Sequence, residues 1–158
     1  MAKASGILGV NHVGVFTSRI EEAEKHYAEL FGTVVLFRGT TYRGNWVGID
    51  PAYGWEEIRR RGLRVEASFM RAGELTVIVA DSPADKSGPI NHVGIGCSEG
   101  EFRRIKELVR MRGLRMPEEE AEAFKFVDEL GLIWEICRGM DSAARPANML
   151  DLGSGRIV

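Results

Sequence analysis

The sequence predicts an α+β protein made of two tandem βαβββ modules. Three observations predict it. The tetrapeptide Asn-His-Val-Gly occurs at 11–14 and again at 91–94, with its two histidines 80 positions apart. Each copy lies in a β-prone run and is followed by a helical stretch that stops at a glycine. Each helical stretch leads into further short β-prone runs separated by turn residues. A period of this length marks one supersecondary unit used twice.

The first module is expected over about 6–81. A strand over 6–17 carries Ile7, Val10, Val13, Val15 and Phe16. Ser18 suits an N-cap, with Glu21 and Glu22 in the first turn of a helix over 21–31. Ala23, Tyr27, Leu30 and Phe31 recur at helical spacing, and Gly32 ends the run. Strands follow at 34–37, 63–70 and 75–80, the last two joined by a turn at 71–74 that contains Gly73. A connector rich in Ser, Pro, Asp, Lys and Gly spans 81–89. The second module, about 89–138, repeats the order. It has a strand at 90–97, a helix at 101–111 ending at Arg112-Gly113, and a short strand at 114–116. Strands at 124–127 and 132–137 flank a turn at 128–131. The stretch 139–158 reads either as a tail or as a cover for a pocket mouth. All of this fits a single domain of 158 residues.

The modules differ by an insertion at about 39–62. It carries Tyr42, Trp46, Tyr53 and Trp55, four of the chain's six Tyr and Trp residues. Two readings stand: an aromatic flap over a functional site, or a short extra helix over 55–61 packed on the sheet edge.

Composition excludes several classes. The net charge is −2 and no basic stripe stands out, so nucleic-acid binding has no support. The run Arg59-Arg60-Arg61 reads as a solvated helix face. No apolar run approaches the roughly 20 residues of a membrane span. The first residues lack the apolar core of a signal peptide, so a cytoplasmic protein is expected. Cys97 and Cys137 form no CxxC pair. Alternation puts Cys137 on the face of Glu135 and Cys97 on the face opposite His92, which predicts two buried free thiols.

His12 and His92 are the candidates for chemistry, because the repeat places them at matching positions. Glu135 is the third, a carboxylate among Ile133, Trp134 and Ile136 that needs a partner if it points inward. A lone strand histidine is ordinarily a packed core residue, and a lone strand glutamate ordinarily faces solvent. The register of the repeat favours the sharper reading, a metal site. Two imidazoles and one carboxylate suit Fe(II), Mn(II), Co(II), Ni(II) or Zn(II) and leave positions open for water or substrate. The remaining histidine, His26, falls on the first helix and reads as a surface or packing residue.

These segments (9–32, 75–83, 89–113 and 124–138) resemble the vicinal oxygen chelate superfamily. That group includes glyoxalases, methylmalonyl-CoA epimerases, extradiol dioxygenases, fosfomycin-resistance proteins and bleomycin-binding proteins. The resemblance implies a glyoxalase-like fold, an open cupped mixed sheet around a metal, with ligands from the first and last strand of each module. Carried over, those positions are His12, the Val79 position, His92 and Glu135. Three match. At the fourth, Val77 and Val79 share a face and cannot ligate, Asp81 has the same parity at the strand end, and Glu74 points the other way. A four-ligand isomerase site is weakened by this. The set His12, His92 and Glu135 instead resembles the triad of extradiol dioxygenases, which favours Fe(II) or Mn(II), with Zn, Ni or Co as alternatives. Those enzymes use a further His and often a Tyr; here Tyr42 or Tyr53 would have to stand in. Trp46, Trp55 and Val79 are the expected substrate-pocket residues. Gly14 stands where fosfomycin-resistance proteins carry Thr, against that activity. The expectation is a metal-dependent enzyme acting on a small molecule that chelates through adjacent oxygens, dioxygenase-like, with a glyoxalase or epimerase-type isomerase as one alternative. A metal-free, antibiotic-type binding protein is the other. By analogy the chain is a homodimer.

Overall fold

In the computed structural model, residues 6–82, 90–129, 131–140 and 148–158 are described. The chain runs β1 (Ile7–Thr17), α1 (Ile20–Phe31), β2 (Val34–Tyr42), β3 (Asn45–Ile49), α2 (Trp55–Arg60), β4 (Ala67–Ala72), β5 (Leu75–Asp81), β6 (Ile90–Cys97), α3 (Glu99–Met111), β7 (Glu118–Glu119), β8 (Ala123–Val127), β9 (Ile133–Arg138), β10 (Met149–Asp151) and β11 (Arg156–Ile157). This is an α+β chain with mixed parallel and antiparallel pairing. Among the described residues, 6–14 and 90–140 form one compact unit, and 15–82 with 148–158 form another. The division departs from a simple tandem split at both ends. The start of β1 goes with the second module, and the C-terminal strands go with the first. No helix among the described residues is long and apolar enough to cross a membrane.

In the unit of 15–82 and 148–158 the strand order is β11-β10-β3-β2-β4-β5, with the rest of β1 beside β5. Helix α1 is capped by Arg19, not by Ser18, and the cap makes no side-chain hydrogen bond. The Arg19 N–H is instead taken by Thr17 Oγ1. At the other end Gly32 adopts φ 67°, the left-handed conformation that only glycine enters cheaply. Glu24 of α1 is buried and fully partnered. It accepts two bonds of 2.8 Å from Arg38 of β2, one of 2.6 Å from Ser68 of β4 and one of 2.8 Å from the Trp55 indole of α2. Arg38 also donates to the Tyr53 carbonyl and stacks on the Trp55 ring. This paired charge ties α1, the sheet and α2 together.

The insertion is a hairpin and a helix. β2 runs on past Phe37 and turns into β3 through Arg43 and Gly44, both at positive φ, as a tight hairpin demands. Helix α2 follows, and its Ile58 is fully buried with Val47, Ile49 and Met70. Of the two readings, the structure holds the packed helix. Arg59, Arg60 and Arg61 lie on its outside, paired with Glu21 and Glu57. The tail contributes β10, parallel to β3, and β11. The strand expected at 63–70 begins only at Ala67.

In the unit of 6–14 and 90–140 the order is β1-β6-β9-β8-β7. α3 starts two residues earlier than expected, because Ser98 caps it by accepting from the Glu101 N–H. Phe102 and Val109 of α3 pack on Cys97, Phe124 and Ile136. That packing decides the faces. With Ile95 and Cys97, Ile136, and Phe124 and Phe126 under the helix, alternation turns His92, Glu135 and Lys125 to the opposite face. No strand forms at 114–116. Leu114 N–H closes the helix end on the Val109 carbonyl, Leu114 and Met116 pack with the helix cluster, and Glu118–Glu119 pairs with β8 instead. Cys97 and Cys137 are buried and form no disulfide, and the Cys97 thiol donates to the Cys137 carbonyl. The connector from 83 on, Leu130 of the turn at 128–131, and residues 141–147 of the tail lie outside the described residues.

Candidate metal centre

His12 on β1, His92 on β6 and Glu135 on β9 converge from three neighbouring strands of one unit. His12 Nε2 lies 2.7 Å from His92 Nε2 and 3.1 Å from Glu135 Oε2; His92 Nε2 lies 2.8 Å from the same oxygen. The two rings are 1% and 4% exposed, so water does not solvate these atoms freely. One chain supplies all three groups.

The repeated motif builds this convergence reciprocally. A Cβ on Gly14 would stand 2.7 Å from Cε1 of His92, and one on Gly94 would stand closer still to His12. Each glycine therefore vacates the space that the other copy's histidine fills. The motif's asparagine acts in one copy only. Asn11, 2% exposed, donates from its amide nitrogen to the Met140 carbonyl, which fixes its oxygen toward His12 Nδ1 at 2.8 Å. An amide oxygen only accepts, so the proton of the neutral His12 ring sits on Nδ1 and Nε2 is a bare lone pair. His92 Nδ1 is buried and has no such partner.

These protonation states test whether a metal fits. The His12 lone pair faces a second imidazole nitrogen and a carboxylate oxygen within 3.1 Å. A divalent cation satisfies all three atoms at once. The three donor atoms lie 2.7–3.1 Å apart, close enough for one cation to be held by all of them. Burial opposes the charge on Glu135, but its close contacts with His12 and His92, helped by Lys125, outweigh it and hold the carboxyl far below the ordinary carboxylate range. It is therefore an anionic donor. The set fits a divalent metal.

Three solved structures illustrate the likeness. A methylmalonyl-CoA epimerase from Mycobacterium tuberculosis superposes with a TM-score of 0.53 at 13% identity, over 88% of this chain and 93% of that one. A Mn(II)-bound glyoxalase from Novosphingobium aromaticivorans gives 0.58 at 13%, over 86% and 40%. A catechol 2,3-dioxygenase gives 0.59 at 18%, over 94% and 47%. The chain shares the fold of these structures. It spans nearly the whole epimerase chain but less than half of the glyoxalase and dioxygenase chains. No family model matches the sequence, and no curated protein does.

The repeat makes β5 of module one the counterpart of β9, since the Ser82 N–H bonds the Thr17 carbonyl as the Gly139 N–H bonds that of Cys97, and here the structure corrects the sequence. In β9, Ile136 packs under the helix and Glu135 faces away. In β5, Val79 is the residue under the helix. It is fully buried in the cluster with Ile20 and pairs with Ser68, whose hydroxyl bonds Glu24 of α1. The counterpart of Glu135 is therefore Ile78, one residue away from the expected Val79 position. A one-residue slip in a strand exchanges the two faces, so Val79 lies on the core side under α1, where it borders the cleft beside Tyr27. The fourth ligand stays absent, since isoleucine coordinates no better than valine. Asp81 is held by Arg64. Among the described residues, the only metal-binding group of three is His12, His92 and Glu135.

The other expected site residues all belong to the other unit. Tyr53 donates its hydroxyl to Asp151 at 3.4 Å, and the Tyr42 ring lies against the Arg43 guanidinium. Trp55 is engaged by Glu24 and Arg38. Trp46 lies over Gly39 and is 45% exposed. His26 is exposed on α1, beside a cleft of about 550 Å³ with Tyr27 and Val79. Asn11, Gly14, Gly94 and Lys125 went unassigned in the sequence, although three of them stand inside the repeated motif.

Proposed function

We propose that this protein is a divalent-metal enzyme that takes a small molecule chelating through adjacent oxygens, with dioxygenase-like chemistry at His12, His92 and Glu135. The observation that carries this is the convergence of three donor atoms with the His12 tautomer set by Asn11. When bound, the metal supplies a Lewis acid that stabilises negative charge on the oxygens it holds. His12 and His92 hold it as neutral imidazoles and Glu135 as a carboxylate, which leaves a net positive centre for an electron-rich substrate. Three protein donors leave the remaining positions to the substrate and a second small molecule. Fe(II) or Mn(II) would suit a set of two imidazoles and one carboxylate. Tyr42 and Tyr53 are the candidates for the acid or hydrogen-bond donor.

A second reading is an isomerase of the glyoxalase or epimerase kind. The near-full-length likeness to the epimerase favours it. It lacks a carboxylate base at Ile78. Elemental analysis of protein purified anaerobically, without added metal or tag, tests both, alongside Glu135→Ala. About one Fe or Mn per chain, absent from the variant, supports the first reading, with dioxygen uptake on diols as the next assay. Zn, Ni or Co favours the second. No metal, and none taken up on titration, refutes both and leaves a binding protein. Sedimentation of the same sample tests the homodimer.

A further inference from the structure

Lys125 is the next side chain outward from the ligands. On β8 it stands directly opposite Glu135 in antiparallel register, on the face turned away from α3. Its Nζ lies 4.0 Å from Glu135 Oε2 and 2.7 Å from Glu118 Oε2. The Lys125 side chain is 20% exposed and that of Glu118 is 59% exposed. A cleft of about 40 Å³ opens between Glu118, Glu120, Ala123, Lys125 and Glu135, room for about one water-sized group.

With no metal present, the ammonium offsets the charge of Glu135. A divalent cation held by His12, His92 and Glu135 takes over that charge and no longer attracts the lysine. What remains is Glu118, an exposed carboxylate whose pairing is worth little in water. A half-buried ammonium beside a cleft at the edge of a cationic centre is a place for an oxyanion. We propose that Lys125 anchors the carboxylate of an anionic substrate, so that the substrates of this site are small acids that chelate through a carboxylate and the oxygen next to it. This rests on the metal reading above.

The test uses the full chain loaded with Mn(II) and oxalate as the probe, with binding followed by water-proton relaxation. Lys125→Gln should weaken oxalate about ten- to hundredfold, the range for a lost charged hydrogen bond. Lys125→Arg should restore most of it. Neither change should weaken Mn(II) itself, since Lys125→Gln removes a neighbouring positive charge, which favours a cation, and Lys125→Arg keeps it; a merely structural lysine would lose both together. Glu118→Gln, an exposed change, should tighten oxalate. Unchanged oxalate affinity in Lys125→Gln, a proportional loss of Mn(II), or unchanged oxalate affinity in Glu118→Gln overturns the anchor while leaving the metal reading intact. Wild-type protein that takes no Mn(II) overturns both.

Discussion

Replacing Asn11 by Leu should cost metal affinity without unfolding the chain. Asn11 is 2% exposed, so no water replaces its oxygen when the amide is gone. Two outcomes are open to His12. Its Nδ1–H stays buried and unpaired, which costs about 1–3 kcal/mol. Or the proton moves to Nε2 and occupies the lone pair that the metal needs. Either penalty falls on the metal-bound state. At about 1.4 kcal/mol per tenfold this is roughly a 5- to 150-fold loss, in line with the 10–100-fold usual for partners of metal-ligating histidines. The repeat provides a matched control. His92 Nδ1 has no asparagine bond, so Asn91→Leu should bind metal as the wild type does. Competition against a chromophoric chelator reads both affinities, with circular dichroism to show that each variant is folded. Wild-type affinity in Asn11→Leu, or an equal loss in Asn91→Leu, would refute the tautomer argument.

Three other outcomes are expected. Gly94→Ala should push His12 out of place, and elemental analysis should find metal well below one per chain; Gly100→Ala, where a Cβ meets nothing, should keep its metal. Glu24→Gln should leave Arg38 buried without its carboxylate and lower stability in urea by about 3–5 kcal/mol, whereas Glu24→Leu with Arg38→Met together should recover much of it. Ellman's reagent should react with neither cysteine until the protein unfolds, because Cys97 and Cys137 are 0% and 1% exposed and burial pushes the Cys97 thiol above its ordinary value. That shift disfavours the thiolate in the folded state, so its contribution to stability is lost as pH rises.

Much of the fold was legible because the signals were local. The duplicated motif, the glycine stops at Gly32 and Gly113 and the alternation of β6 and β9 each depend on residues close in sequence. The candidate ligands were legible for the same reason, since a repeat puts two histidines in equivalent places without any knowledge of packing. The β5 assignment failed by one residue. Periodicity shows that Val77 and Val79 share a face, but only the position of α1 shows which face that is. The contacts of the insertion's aromatic residues were not legible for a related reason. Trp55 was expected at a pocket, and only the fold shows that its indole N–H is taken by Glu24, a partner 31 positions away.

The sequence by itself determined the two-module plan and the pairing of His12 with His92. Each follows from residue identity and spacing alone. Tertiary structure decided the rest. It joined the start of β1 to the second module, it set Gly14 and Gly94 under the opposite histidines, and it put Asn11 on His12 while leaving His92 without an equivalent. It also set Lys125 beside Glu135 across two strands. The physical reason is that a hydrogen bond or a close approach depends on distance and direction between atoms far apart along the chain, and two copies of the same four residues acquire different partners once they are packed.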